Sequence, residues 1–181
     1  MVEVTRLHSL AKANSRPGLD IVAPLSRFSL RMAADAQAPW LASLNLAPPT
    51  QSCRAVQSQN AAVLWLGPGD WLLLVDSQET ASIERALHSD LAGHDYALVE
   101  VSHRQIGLEL SGPQAARWLN AVCPLDLSLQ EFPVGMCTRT VFAKAQIVLW
   151  RHKEDVFHVE LWRSFAPYVW DMLSVIMVEA A

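Results

Sequence analysis

Hydrophobic and polar positions along this chain change their spacing near residue 60. Residues 1–60 hold apolar side chains with little period, broken by Pro17, Pro24, Pro39, Pro48 and Pro49, and only 28–32 reads as a strand. This Pro- and Ala-rich arm is expected to lie along the domain or to reach onto a partner, with 61–181 forming the domain proper. From Val63 the pattern tightens: Val63-Leu64-Trp65-Leu66 and the run 71–75 flank Gly67-Pro68-Gly69-Asp70, predicting a hairpin buried on both faces. The glycines serve the turn, because a phosphate-cradling loop needs a Lys-Ser/Thr pair opening a helix. Ile83, Leu87 and Leu91, with Ala86 beside them, predict a helix over 80–91 that Gly93 ends. Strands are predicted at 96–101 and 105–110. The second puts Ile106, Leu108 and Leu110 on one face and Gln105, Gly107 and Glu109 on the other, the pattern of a sheet with one covered face. Ser111-Gly112-Pro113 predicts the cap and early proline of a helix running to Val122, with Ala115, Leu119 and Val122 in line and Pro124 stopping it. Strands follow at 137–143, 145–151 and 156–162, the last two joined by a polar turn at 152–155. Ser164 is the expected N-cap of a final helix, 165–178, facing inward through Phe165, Val169, Leu173 and Ile176. This order describes an α+β fold of two split β-α-β (ferredoxin-like) units with antiparallel sheets.

Length and composition sharpen the picture. With 181 residues, one domain is the expectation. Apolar residues make up 51% and charged residues 18%, against a usual charged share of about 25%, so the surface has fewer charges than a free monomer normally shows. Seven Trp residues point the same way, either to an interface or to a large core. A net charge of −4 without a basic run argues against nucleic acid and anionic membranes as partners. Cys53, Cys123 and Cys137 are too few and too scattered for a disulfide framework or a zinc site, and read as buried thiols in a reducing compartment. Charges at Glu3, Arg6, Lys12 and Arg16 leave no apolar run for a secretory signal, and 169–178 is short for a membrane span and carries Asp171. A soluble, cytoplasmic protein is expected.

Candidate chemistry is sparse. His88, His94, His103, His152 and His158 do not fall on one helix at metal-ligand spacing, and His8 is isolated in the arm, so no metal site is expected. Ser102-His103 and Cys137 are the tempting catalytic groups. Sequence neighbours on a strand point to opposite faces, however, so serine and histidine cannot bond as nucleophile and base, and no catalytic residue is expected. Arg104, Arg139 and Arg163 have two readings: pairing with Glu100, Glu109, Asp126 or Glu160 of the same chain, or fork-shaped donors across a subunit interface. Trp162 shares a strand face with His158 and Glu160, and Trp150 alternates with Ile147 and Leu149. Either both tryptophans anchor a partner, or a further layer of this chain covers them.

Four stretches carry a resemblance: Val-Glu-Val-Ser-His-Arg at 99–104, Leu-Ser-Gly-Pro-Gln-Ala at 110–115, Gly-Met-Cys-Thr-Arg-Thr at 135–140, and Trp-Arg-Ser-Phe-Ala-Pro-Tyr-Val-Trp at 162–170. Together they resemble the gamma subunit family of heterotetrameric sarcosine oxidase, over roughly 60–178. The resemblance implies the aminomethyltransferase folate-binding fold, and a complex with alpha, beta and delta subunits that oxidises sarcosine to glycine with tetrahydrofolate as one-carbon acceptor. It also implies FAD, FMN and NAD in that complex, held mainly by the larger subunits, with this chain a structural member binding no cofactor. Glycine-cleavage aminomethyltransferases share the start matched by Glu100-Val101-Ser102 and the helix entry matched by Ser111 to Ala115. Their Gly-Gly-x-x-Asp-Asp turn corresponds here to Phe142-Ala143-Lys144-Ala145-Gln146-Ile147, without the glycines or either acid. Folate-binding proteins of iron–sulphur assembly carry Lys-Gly-Cys where this chain has Gly135-Met136-Cys137. The alternative function is a free-standing folate-binding protein using another acid, Asp126 or Glu131 near Gly135.

Overall fold

The computed structural model describes residues 16–34, 38–76 and 79–179. Expectations placed on residues 1–15, His8 among them, lie outside the described residues. The described strands are β1 (Leu19–Ile21), β2 (Ser26–Met32), β3 (Ala55–Gln57), β4 (Ala61–Gly67), β5 (Asp70–Val75), β6 (Tyr96–Glu100), β7 (Gln105–Ser111), β8 (Cys137–Phe142), β9 (Ala145–Lys153) and β10 (Val156–Trp162). The helices are α1 (Thr80–Asp90), α2 (Ala115–Asn120) and α3 (Ala166–Glu179), with short 3₁₀ turns at Ala42–Leu44 and Arg163–Phe165. They form two compact units: Pro24–Ser102, and the described residues up to Ala23 together with those from His103 onward. The residue-60 boundary expected from composition lies inside the first of these, between β3 and β4.

In the unit Pro24–Ser102 the sheet order is β3-β4-β5-β2-β6, with every pairing antiparallel. The connection β5–α1–β6 therefore straddles β2, which makes it a split β-α-β unit. Ala61–Leu64 and Trp71–Val75 are buried residue after residue, as two uninterrupted apolar runs require. Gly69, at φ +68°, turns the hairpin, and a Cβ there would stand 2.2 Å from the Met32 carbonyl oxygen. Part of the proline-rich arm is core in this unit: Leu41, Leu44 and Leu46 are buried with Phe28, Leu30, Val63, Leu73, Leu87 and Leu91. The Trp71 indole donates to the Pro49 carbonyl at 2.9 Å, and Ser43 bonds the Asp90 carboxylate at the end of α1. Residues 38–50 thus lie along their own unit.

The other unit has the sheet order β1-β7-β10-β9-β8, again antiparallel throughout. After β7 and α2 the chain returns as the meander β8–β9–β10, which closes against β7. One sheet face packs under α2 and α3 through Leu108, Leu110, Ile147, Leu149, Phe157, Val159 and Leu161. Three local expectations need correction. Ser111 stays in the sheet opposite Val156, so it cannot cap; α2 begins after Gln114, without a side-chain cap. Ser164 lies within the 3₁₀ turn that precedes α3, and likewise makes no cap. Phe165 is 37% exposed, whereas Val169 and Leu173 face inward as expected and are buried together with Ala166, Trp170 and Met177; the 3₁₀ turn before α3 carries Phe165 out of the stripe.

Candidate functional site

The second face of the β7–β10–β9 sheet is where sequence and structure differ most. Alternation suggested a solvated polar face, yet Gln105, Gly107, Val148, Trp150, His158 and Glu160 on it are all buried. Register explains how the strands tolerate this. Glu160 stands opposite Gly107 and His158 opposite Trp150, and the Glu160 carboxylate occupies the room a side chain at 107 would need. His158 Nε2 and Glu160 Oε1 are 2.8 Å apart, with 7% and 0% of their side chains exposed. The Trp150 ring lies 5.9 Å from the His158 ring and 4.7 Å from that of His152. A carboxylate-held imidazole can fix a tautomer for proton transfer. Here the pair is enclosed, which suits a buried polar network better than chemistry on a substrate. An i, i+2 His-x-Glu on a strand facing a glycine was the sequence signal for it. His152, half-buried, titrates below its ordinary value of 6.5, chiefly through burial and then through the charge of Lys153.

At the end of β10 the surface changes character. Trp162 is 47% exposed and stands in register with Gln105. Arg104 places its guanidinium carbon 5.9 Å from the Trp162 ring, and the Arg163 amide donates to the Arg104 carbonyl at 2.9 Å. Among the described residues neither Arg104 nor Arg163 has a carboxylate within ion-pair distance. Neither arginine is therefore paired with Glu100, Glu109, Asp126 or Glu160. Arg163 Nε is shielded from water without an acceptor, and Phe165 is exposed on the adjoining turn. Of the other residues singled out from sequence, Arg139 is exposed on the edge strand β8, whereas Trp150 is buried within its own sheet face, its indole nitrogen unpartnered. Trp150 on β9 and Trp162 on β10 lie on one face of the sheet, and of the two Trp162 reaches the surface.

Sequence reasoning missed Arg151. It is 3% exposed, and its guanidinium donates to the Leu127, Phe132 and Glu154 carbonyls at 3.0, 2.6 and 3.0 Å while lying 4.7 Å from the Phe157 ring. One side chain therefore pins the long connection between α2 and β8. Burial pushes its pKa below the ordinary arginine value, with Asp155 and Glu154 opposing. Asp126, in the same connection, is exposed and accepts the Ser128 amide at 2.8 Å. That bond, with the Ser128 hydroxyl, lowers its pKa, so this carboxyl is a turn brace and poorly suited to holding a proton near neutrality. The turn corresponding to the acidic folate turn is a bare Ala143-Lys144 hairpin loop, Ala143 lying in the left-handed region at φ 51°. In the other unit an open, mainly polar cleft of 470 Å³ is lined by Ser43, Ser58, Asn60, Asp76 and Ile83 among others. Among the described residues no group of three or more His, Cys, Asp or Glu side chains is arranged to hold a metal, and no helix is long and apolar enough to cross a membrane. Cys123 and Cys137 are buried and Cys53 is half-buried; all three are free thiols.

The profile of the sarcosine oxidase, gamma subunit family matches residues 33–179. Sarcosine oxidase subunit gamma of Corynebacterium sp. (strain P-1) is 32% identical over 123 residues, 68% of this chain and 60% of that protein. The Arthrobacter sp. subunit gamma is 33% identical over 102 residues, 56% of this chain and 49% of that protein. The match thus spans 49% to 60% of the length of these two relatives. Among solved structures, a chain of heterotetrameric sarcosine oxidase from Corynebacterium sp. U-96, in complex with pyrrole 2-carboxylate, superposes with a TM-score of 0.85 at 25% identity, covering 98% of this chain and 94% of that one. Glycine cleavage system aminomethyltransferase T from Bartonella henselae shares the fold, with a TM-score of 0.63 at 15% identity over 86% of this chain and 45% of that chain. This chain belongs to the sarcosine oxidase gamma subunit family.

Proposed function

We propose that this chain is the non-catalytic gamma subunit of a heterotetrameric sarcosine oxidase. The complex, with alpha, beta and delta subunits, oxidises sarcosine to glycine and passes the one-carbon unit to tetrahydrofolate in the cytoplasm. FAD, FMN, NAD and tetrahydrofolate belong to the larger subunits, and this chain supplies surface and stability. The observation that carries the reading is the superposition on a chain of such an oxidase across 98% of this one. Supporting it is the lack of both acids and of the glycines at the Ala143-Lys144 turn. The partner-facing residues are Trp162, Arg104 and Arg163, joined by Arg139 on the edge strand, with Trp150 buried on the same sheet face.

Co-expression tests it. Omitting this chain from cells producing the other three subunits encoded beside it should abolish or sharply reduce recovery of an assembled, flavin-containing oxidase. Adding the purified chain back should restore sarcosine turnover. A complete oxidase that assembles and turns over equally well without it overturns the proposal.

A further inference from the structure

We infer that the corner built by Arg104, Trp162 and Arg163 is a receptor for a carboxylate on a partner subunit, with Trp162 and Phe165 taking the apolar stem beside that acid. The inference rests on the subunit reading above and names the chemistry its contact uses. The sheet itself brings the arginines together. Gln105 and Trp162 are the terminal cross-strand pair of β7 and β10, so the residues just outside them, 104 and 163, meet as the chain enters one strand and leaves the other, and they share a backbone hydrogen bond. Guanidinium groups carried on adjoining backbone without an acid beside them are normally offset by a carboxylate.

Within this unit the neighbouring acids are committed elsewhere. Glu160 is buried against His158, and Glu109 lies four residues further along β7, opposite His158 and Asp20. A local excess of positive charge thus stands on a chain whose net charge is −4. Arg104 makes no side-chain hydrogen bond among the described residues; its contact is the face of Trp162 at 5.9 Å, which leaves its N–H donors for an incoming acid. Arg163 is half-buried, and its guanidinium has no carboxylate or other acceptor among the described residues, which leaves its outer N–H groups for an incoming acid. Beside these donors Trp162 is 47% and Phe165 37% exposed, large apolar surfaces that are costly to leave in water. An arginine pair bordering exposed tryptophan is the composition of an interface centre. The sign of the charge selects an acidic occupant.

The test uses the full chain and the purified partner subunits, measuring their binding at low and at high NaCl. Arg104→Gln and Arg163→Gln should each weaken binding about tenfold at low salt, and the double variant should lose most of the salt dependence. Arg104→Lys and Arg163→Lys keep the charge without the fork and should retain the salt dependence while binding less tightly. Trp162→Ala should weaken binding by about thirtyfold or more with its salt dependence intact. Arg117→Gln, on the exposed side of α2, should bind as the native chain does. Unfolding midpoints for the set establish that each variant is folded. Native-like binding by folded Arg104→Gln and Arg163→Gln overturns the receptor while leaving the subunit reading in place. Failure of the native chain itself to bind overturns the subunit reading, and the receptor with it.

Discussion

At the scale of single residues, the buried face of the β7–β10–β9 sheet is sensitive to small changes. A Cβ at Gly107 would sit 2.9 Å from Glu160 Oε1 and 3.0 Å from the Val22 Cβ, and the carboxylate cannot swing away without leaving His158. Gly107→Ala should therefore cost about 1 to 3 kcal/mol, as overpacking does, read as a lower midpoint in urea. His152 gives a pH prediction with a definite sign. Burial lowers its folded pKa below 6.5, so between those values the unfolded chain takes up a proton that the folded chain refuses. That contribution to stability is present above the unfolded value and is lost as pH falls through 6.5 toward the folded one. His152→Gln should flatten the decline in unfolding midpoint over this range; an unchanged slope would assign the pH dependence to other groups.

At the scale of elements, the connection between α2 and β8 depends on one side chain. Arg151→Leu leaves the Leu127, Phe132 and Glu154 carbonyls without their donor, and each lost bond to a charged group costs about 1.5 to 3 kcal/mol before relaxation and water offset part of it. The expected outcome is a net loss of about 3 kcal/mol, with faster amide exchange concentrated in 127–136 and slower loss in β10. The sequence could not reveal this clamp, because its donors and acceptors are separated by up to 24 residues and no local period links them. Elements with a local period were legible. The runs either side of Gly67-Pro68-Gly69-Asp70, the spacing of Ile83, Leu87 and Leu91, and the alternation through β9 and β10 all gave strands or helices within a few residues. Boundaries failed where a backbone choice depended on distant partners. Ser111 stays in the ladder because Val156 pairs with it, and Phe165 turns outward because a 3₁₀ turn precedes α3. The polar face of β7 read as solvated because alternation reports polarity, whereas its burial depends on Gly107, Glu160 and His158 fitting together across two strands.

For the whole molecule, the low charge content and the exposed apolar residues of α3 belong to the same argument. That helix is apolar nearly all round: it buries Val169, Trp170 and Leu173 and still exposes Val175 at 56% and Val178 at 60%. A helix of this kind is normally covered on both sides. If the chain works as a subunit, the cover comes from another subunit, so substitution there should separate assembly from folding. Val175→Asp and Val178→Asp remove little burial from the isolated chain and add charge to a surface that has few. Each should change the unfolding midpoint by no more than roughly 0.5 kcal/mol equivalent, the usual range for surface positions, while raising the solubility of the free chain. Incorporation into the oxidase should fall together with recovered sarcosine turnover, because a carboxylate pressed into an apolar contact loses its hydration without gaining a partner. Normal incorporation of both variants would place this face of α3 in solvent in the complex too, and leave the Trp162 corner as the contact to be mapped.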